Sequence, residues 1–192
     1  MRKSLAQAST LACLLAAALA GAGEAAAAPA EVQAQACRPG ATSVTWQNTG
    51  KSLVLTHGSV RTHIGTPEPA TVRPQRITTV KAVVSGGLKP AKAIDSLGAR
   101  TRLNLVDAGK ATPATVVVRA VARSGRTVFF AGTTKASGSY RAKTCNAGGT
   151  GYGSPVTGKA TSWTSVQRGA VNCADRVPSN SLARKAQARF CG

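Results

Sequence analysis

The chain has 192 residues, with 25 Lys and Arg against 6 Asp and Glu, a formal charge of +19, and only 4% aromatic residues. That length accommodates one domain, or one domain with a small appendix, and excludes large multidomain machinery. Beyond the N-terminus no apolar run reaches the roughly 18 residues of a membrane-spanning helix.

Met1-Arg2-Lys3 is a short basic start, and residues 4–20 carry Leu5, Leu11, Leu14, Leu15 and Leu19 among alanines. Ala28-Pro29-Ala30 then offers small residues at the recognition positions of a signal peptidase. This pattern predicts a secretory signal peptide over 1–30, cleaved before Glu31, with an alternative site near 20–22. Loss of Arg2, Lys3 and Glu24 leaves 23 basic and 5 acidic residues, a net of +18.

Four cysteines remain: Cys37, Cys145, Cys173 and Cys191. An even count in an exported chain reads as a disulfide framework, with three possible pairings. There is no C-x-x-C and only two histidines are present, so neither a zinc site nor another cofactor is expected. Valine and isoleucine dominate the large apolar residues and threonine surrounds them, which favours strands over helices. The core is thin for this length, so the disulfides are expected to matter for stability.

In chain order, Arg38-Pro39-Gly40 marks a turn, followed by strands over 43–47 and 51–56 with Leu53 and Leu55 on one face. Pro67, Pro69 and Pro74 assign 65–74 to loop. A strand over 77–84 ends at Gly86-Gly87, and a short helix over 91–97 is stopped by Gly98. Residues 100–106 alternate, with Thr101, Leu103 and Leu105 opposite Arg100, Arg102 and Asn104. Segments 115–123 and 127–131 read as a hairpin turning at Ser124-Gly125-Arg126, and 135–145 completes a meander.

Gly148, Gly149, Gly151 and Gly153 make 146–154 a linker. Beyond it, 159–166 and 170–173 read as a small hairpin turning at Arg168-Gly169. Residues 181–190 read as a helix with Leu182, Ala186 and Phe190 along one face. The expected organisation is a β-rich module over 31–145, the linker 146–154, and a small hairpin-helix subdomain over 155–192 that is too short to hold a core alone. A Cys173–Cys191 bridge would clip its helix to its strand, leaving Cys37–Cys145 to close the β-module. The fold class is mainly β: an antiparallel sandwich or meander with a disulfide-clipped α+β tail.

Catalytic chemistry has few candidates. Beyond the leader the titratable supply is His57, His63, Glu31, Glu68, Asp95, Asp107 and Asp175. His57-Gly58-Ser59 places a histidine close to a serine, but His57 and His63 read as ordinary loop or strand-end histidines rather than as catalytic or metal-binding residues. Asp107-Ala108-Gly109 reads as a turn whose aspartate serves its own backbone, and Asp95 as a helix-flanking residue. There is no Walker loop, no G-x-S-x-G and no H-E-x-x-H. No catalytic residue is assigned, and the expectation is a non-enzymatic protein; a small secreted hydrolase using His57 is the third reading.

Charge is the strongest functional signal. A high genomic GC content enriches Ala, Gly and Arg, but it does not explain the scarcity of Asp and Glu. Arg119, Arg123, Arg126, Arg141 and Lys143 fall on the expected meander, and Arg184, Lys185 and Arg189 on the polar side of the terminal helix. Each alone reads as a solvated charge. Together they predict an anion-binding surface. Tyr140 and Tyr152 are the only aromatics expected at the surface, too few for a stacking nucleic-acid platform. The expected partner is an anionic cell-wall polymer, which an exported bacterial protein meets first, or another polyanion such as extracellular DNA, with peripheral contact to anionic membrane as a lesser one. A second reading pairs 77–84 with 115–123 as a membrane-inserting hairpin.

Val80-Lys81-Ala82-Val83-Val84-Ser85-Gly86, the run from Ser124 to Thr133, and Ser137-Gly138-Ser139-Tyr140 leading to Cys145 together resemble the β-module of uncharacterised small secreted proteins of high-GC Gram-positive (actinobacterial) bacteria. The resemblance spans about 37–145. It implies export and a strand-rich body, and brings no activity or catalytic residue with it.

Overall fold

A computed structural model describes residues 37–192; the expected signal peptide over 1–30 lies outside the described residues. The strands are β1 (Thr42–His63), β2 (Glu68–Val72), β3 (Gln75–Arg76), β4 (Val83–Gly86), β5 (Val118–Ala122), β6 (Gly125–Thr144), β7 (Val156–Trp163) and β8 (Gln167–Asn172). Two helices, α1 (Pro90–Thr101) and α2 (Leu182–Phe190), complete the list. The fold is mainly β and its sheets are antiparallel, as the abundance of β-branched residues requires.

Two long strands organise the molecule. β1 and β6 pair from Thr42↔Thr144 to His63↔Gly125. The expected strands over 43–47 and 51–56 are thus one strand, interrupted by an irregularity between Gln47 and Gly50 where Asn48 adopts a left-handed φ of 51°. A second irregularity falls between Leu55 and His57. The other edge of β6 is shared: β8 pairs with Thr127–Gly132 and β7 with Lys135–Ala142.

The expected hairpin turning at Arg168-Gly169 does not form. β7 and β8 run the same way, both antiparallel to β6, as one long strand broken at 164–166. At the break Thr164 N–H donates to the Thr134 carbonyl at 3.0 Å, and the Thr133 hydroxyl donates to the Thr164 carbonyl at 2.6 Å. The reason is backbone accounting: the free edge of β6 presents a long row of N–H and C=O groups, and only a strand of matching length satisfies them. Both strands of 155–192 therefore complete the sheet of the β-module, and 146–154 is a tight connection knit back onto the end of β6 by the Cys145↔Tyr152 bridge.

The expected hairpin of 115–123 with 127–131 keeps its turn, with Gly125 at φ 95°, but not its pairing. β5 pairs with β2 instead, because both edges of β6 are occupied by β1 and β8. The loop expected over 65–74 accordingly contains β2, with Pro69 opposite Val121. Of the expected strand 77–84, only Val83 and Val84 belong to β4, and Lys81 makes an isolated bridge to Ala111.

The helix expected to stop at Gly98 runs on to Thr101. Gly98 is buried in α1, and a Cβ there would stand 2.8 Å from the Leu103 carbonyl oxygen, so its role is close approach rather than termination. Arg102 closes α1 at φ 56°, with the Leu103 N–H bonded to the Gly98 carbonyl at 3.0 Å. The expected strand over 100–106 is therefore replaced by the last helical turn and an extended return.

Both helices pack on the face of β6 that carries its even-numbered residues. α1 covers Ala136, Tyr140 and Ala142 with Leu88, Ala93 and Leu97. α2 covers Val128 and Phe130 with Leu182 and Ala186. On the opposite face the β2–β5 ribbon covers Phe129 with Val72, Val118 and Ala122. Cys37–Cys145 and Cys173–Cys191 form the two disulfides, in the pairing expected. The second ties α2 to the end of β8.

Candidate anion-binding face

One quadrant of the sheet has no covering layer. From residue 137 onward the odd-numbered side chains of β6 are Ser137, Ser139, Arg141 and Lys143, all half-buried or exposed. Lys135, just before them, stands opposite Trp163, which is buried with Val80 and Ala82, so the cover ends there. Directly opposed residues in a sheet share a face. Register therefore adds Ser43, Thr45 and Gln47 from β1, Thr157, Lys159 and Thr161 from β7, and Val83 and Ser85 from β4. The even-numbered neighbours Ala136, Tyr140 and Ala142 point into the α1 core, which locks the pleat and hence the direction of every polar side chain on the outer face.

The face is built of hydroxyls, one amide, one valine and three cations, with no carboxylate. Arg141 and Lys143, two residues apart on β6, lie about 7 Å apart, and Lys159, opposite Ser139, stands diagonally from Arg141 at about 7–8 Å. Both spacings fall within a screening length of about 8 Å at physiological salt, so Arg141 adds its field to each of the other two. A shallow groove of about 810 Å³ crosses the face, lined by Gln47, Ser85, Ser139, Arg141, Thr157 and Lys159. Its floor is firm because the Tyr140 hydroxyl, beneath the sheet, donates to the Ser85 carbonyl at 2.9 Å and accepts from the Leu88 N–H at 3.3 Å. Gly86 and Gly158 make room for that tyrosine: a Cβ at either position would overlap its hydroxyl and the facing backbone.

The eight cations singled out in the sequence separate into groups. Arg141 and Lys143 stand together on the open face. Lys159, not singled out in the sequence, joins them; the alternation of polar and small residues over 135–143 is the signal that marks this face. Arg123 forms an ion pair with Asp175, and Arg126 donates to the Phe190 carbonyl at the end of α2 at 2.6 Å, so both hold the α2 end of the molecule together. Arg119 lies on the exposed side of β5. Arg184, Lys185 and Arg189 are exposed on α2, Arg189 with its guanidinium 6.0 Å from the Phe190 ring centre. Tyr140, expected at the surface, is buried beneath the sheet, whereas Tyr152 is exposed.

The other candidates also find their places. His57 is fully buried; its Nε2–H donates to the Ala114 carbonyl at 3.2 Å, and its Nδ1 lies 3.0 Å from the Thr56 hydroxyl. His63 stands at the end of β1, with Nδ1 3.4 Å from Glu68 and Nε2 2.6 Å from the Thr66 carbonyl. Asp95 is on α1 and Asp107 at the following turn. Among the described residues no three His, Cys, Asp or Glu side chains gather as a metal site. Segments 77–84 and 115–123, on whose pairing the membrane-hairpin reading rests, do not pair: β4 joins β7 and β5 joins β2. The alternation noted in 115–123 is that of a ribbon with one buried face, with Val116, Val118 and Ala122 inward.

No protein-family model, curated protein or solved structure matches this chain. The class it defines by its own geometry is a disulfide-linked, mainly β protein with one uncovered cationic sheet face.

Proposed function

We propose that this is an exported binding protein that holds an anionic envelope or extracellular polymer against the open face of β1, β6, β7 and β4, without catalysis. The observation that carries the reading is the grouping of Arg141, Lys143 and Lys159 on one firm, hydroxyl-rich surface that carries no carboxylate. Hydroxyls and the Gln47 amide suit a glycan or polyol backbone, and the cations suit its anionic groups. Export agrees with the leader pattern and with two disulfides, which persist in oxidising compartments. An anionic wall polymer is the partner an exported cationic protein of this kind meets at high local concentration.

Co-sedimentation with purified cell walls across a salt series tests this. Binding is expected to fall steeply with salt, and Arg141→Gln combined with Lys159→Gln to flatten that dependence. Arg184→Gln combined with Arg189→Gln is expected to change it far less. Equal losses from the two pairs would show diffuse charge rather than a face, and no binding at low salt would reject the reading.

A further inference from the structure

Among the described residues only two non-glycine residues have left-handed backbones, Asn48 (φ 51°) and Arg102 (φ 56°). Asn48 precedes Thr49 in the bulge of β1, and Arg102 closes α1. A notch of about 360 Å³ lined by Thr49, Gly50, Lys51, Arg100, Thr101 and Arg102 lies between the two segments. The position that closes a helix in this conformation is ordinarily glycine, because a Cβ is disfavoured there. Here it is an arginine, one of three cationic residues that line the notch.

We infer that this notch is a discrete site for the phosphoryl group of a phosphate ester. Three cationic residues line it, and among the described residues the only ion pairs are Arg123–Asp175 and His63–Glu68, so none of the three is held in an ion pair with a carboxylate. The carbonyls at the end of a helix carry partial negative charge, which disfavours an anion. The Lys51 ammonium offsets it by donating to the Thr101 carbonyl at 3.5 Å, which also sets the lysine over the notch. Two guanidinium groups present planar forks of donors, and Lys51 and the Thr49 hydroxyl add others. A tetrahedral oxyanion with two charges has enough acceptor sites for this donor set; a carboxylate has too few and leaves most of the positive charge uncompensated. The site is separate from the open face, because Lys51 lies opposite Ala136, on the side of the sheet that α1 covers.

The test is a titration of the disulfide-intact protein with inorganic phosphate at constant ionic strength, followed by amide NMR shifts, with acetate as the comparison anion. Saturable shifts are expected at 49–51 and 100–103 with phosphate and not with acetate. Arg102→Gly is expected to weaken phosphate binding about tenfold while folding normally, since a φ of 56° is ordinary for glycine. Arg141→Gln combined with Lys159→Gln is expected to leave phosphate binding unchanged, so a failure of the open face as a polymer site is read separately from a failure of the notch. Competition by glycerol 3-phosphate assigns the group to a soluble ester, and competition only by vesicles containing phosphatidic acid assigns it to a lipid headgroup. Equal shifts with acetate, no saturation at the notch, or an Arg102→Gly variant that titrates like the parent would overturn the inference.

Discussion

The two halves of β6 belong to one strand and make opposite use of its alternation. In the first half, Thr127 to Thr133 are all buried, because α2 covers one face and the β2–β5 ribbon the other. In the second half, Ala136, Tyr140 and Ala142 are buried under α1, while Ser137, Ser139, Arg141 and Lys143 face outward. A strand covered on both faces reads as a continuous apolar run, and one covered on a single face reads as alternation. The change from Val128-Phe129-Phe130-Ala131 to Lys135-Ala136-Ser137-Gly138 records where the second layer stops. The covered half carries the stability of this strand, and the open half presents its polar side chains to solvent.

The comparison is sharpest where the disulfides act. Cys37–Cys145 fastens the open half by closing a separation of 108 residues, and Cys173–Cys191 fastens the covered half by closing 18. Replacing Cys37 and Cys145 by serine is expected to cost on the order of 5 kcal/mol, against about 3 kcal/mol for the other pair, as upper values in the chain-entropy model. Denaturant unfolding of both double variants checks the order, and a reversal would mean that α2 contributes more to the fold than the open half does.

Phe129→Ala removes a ring buried between two layers and is expected to cost about 3–5 kcal/mol, whereas Arg141→Ala, on the same strand, is expected to stay within about 0.5 kcal/mol. Comparable losses from the two would break the distinction between the halves.

A smaller effect tests the floor of the open face. Gly158→Ala places a methyl against the Ser85 carbonyl and the Tyr140 hydroxyl, and is expected to cost about 1–3 kcal/mol. The loss should appear first as faster amide hydrogen exchange along β4. Smallest is Ser181→Ala in the covered half. It removes the side-chain cap that accepts from the Arg184 N–H at 3.1 Å, at about 1 kcal/mol by thermal unfolding, with the open face unaffected.

Much of the candidate face was legible in the sequence, but not its membership. Arg141 and Lys143 share strand parity whatever their strand pairs with, so their common direction follows from local geometry alone. Lys159 joins them only because β7 lies beside β6 in a register that sets it opposite Ser139. Arg123 and Arg126 looked equivalent to Arg141 as charges on a strand. Their different roles come from Asp175 and the Phe190 carbonyl, 52 and 64 residues away in the chain. The alternation over 100–106 misled because a helix end followed by an extended return also buries Thr101, Leu103 and Leu105 in part, and local pattern does not separate that from a strand.

By itself, then, the order of residues determined what depends on neighbours along the chain: β-rich segments, the turn at Gly125, a C-terminal helix begun by Ser181, and the excess of positive charge. The cysteine count set a framework of two bridges, and the helix placed before Cys191 pointed to its partner. Only the tertiary structure decided which strand lies beside which. The backbone groups of a 20-residue strand must all find partners, and whichever segment reaches its free edge takes them. That choice made β7 and β8 a single broken strand, sent β5 to β2, and left one polar quadrant of the sheet without a cover.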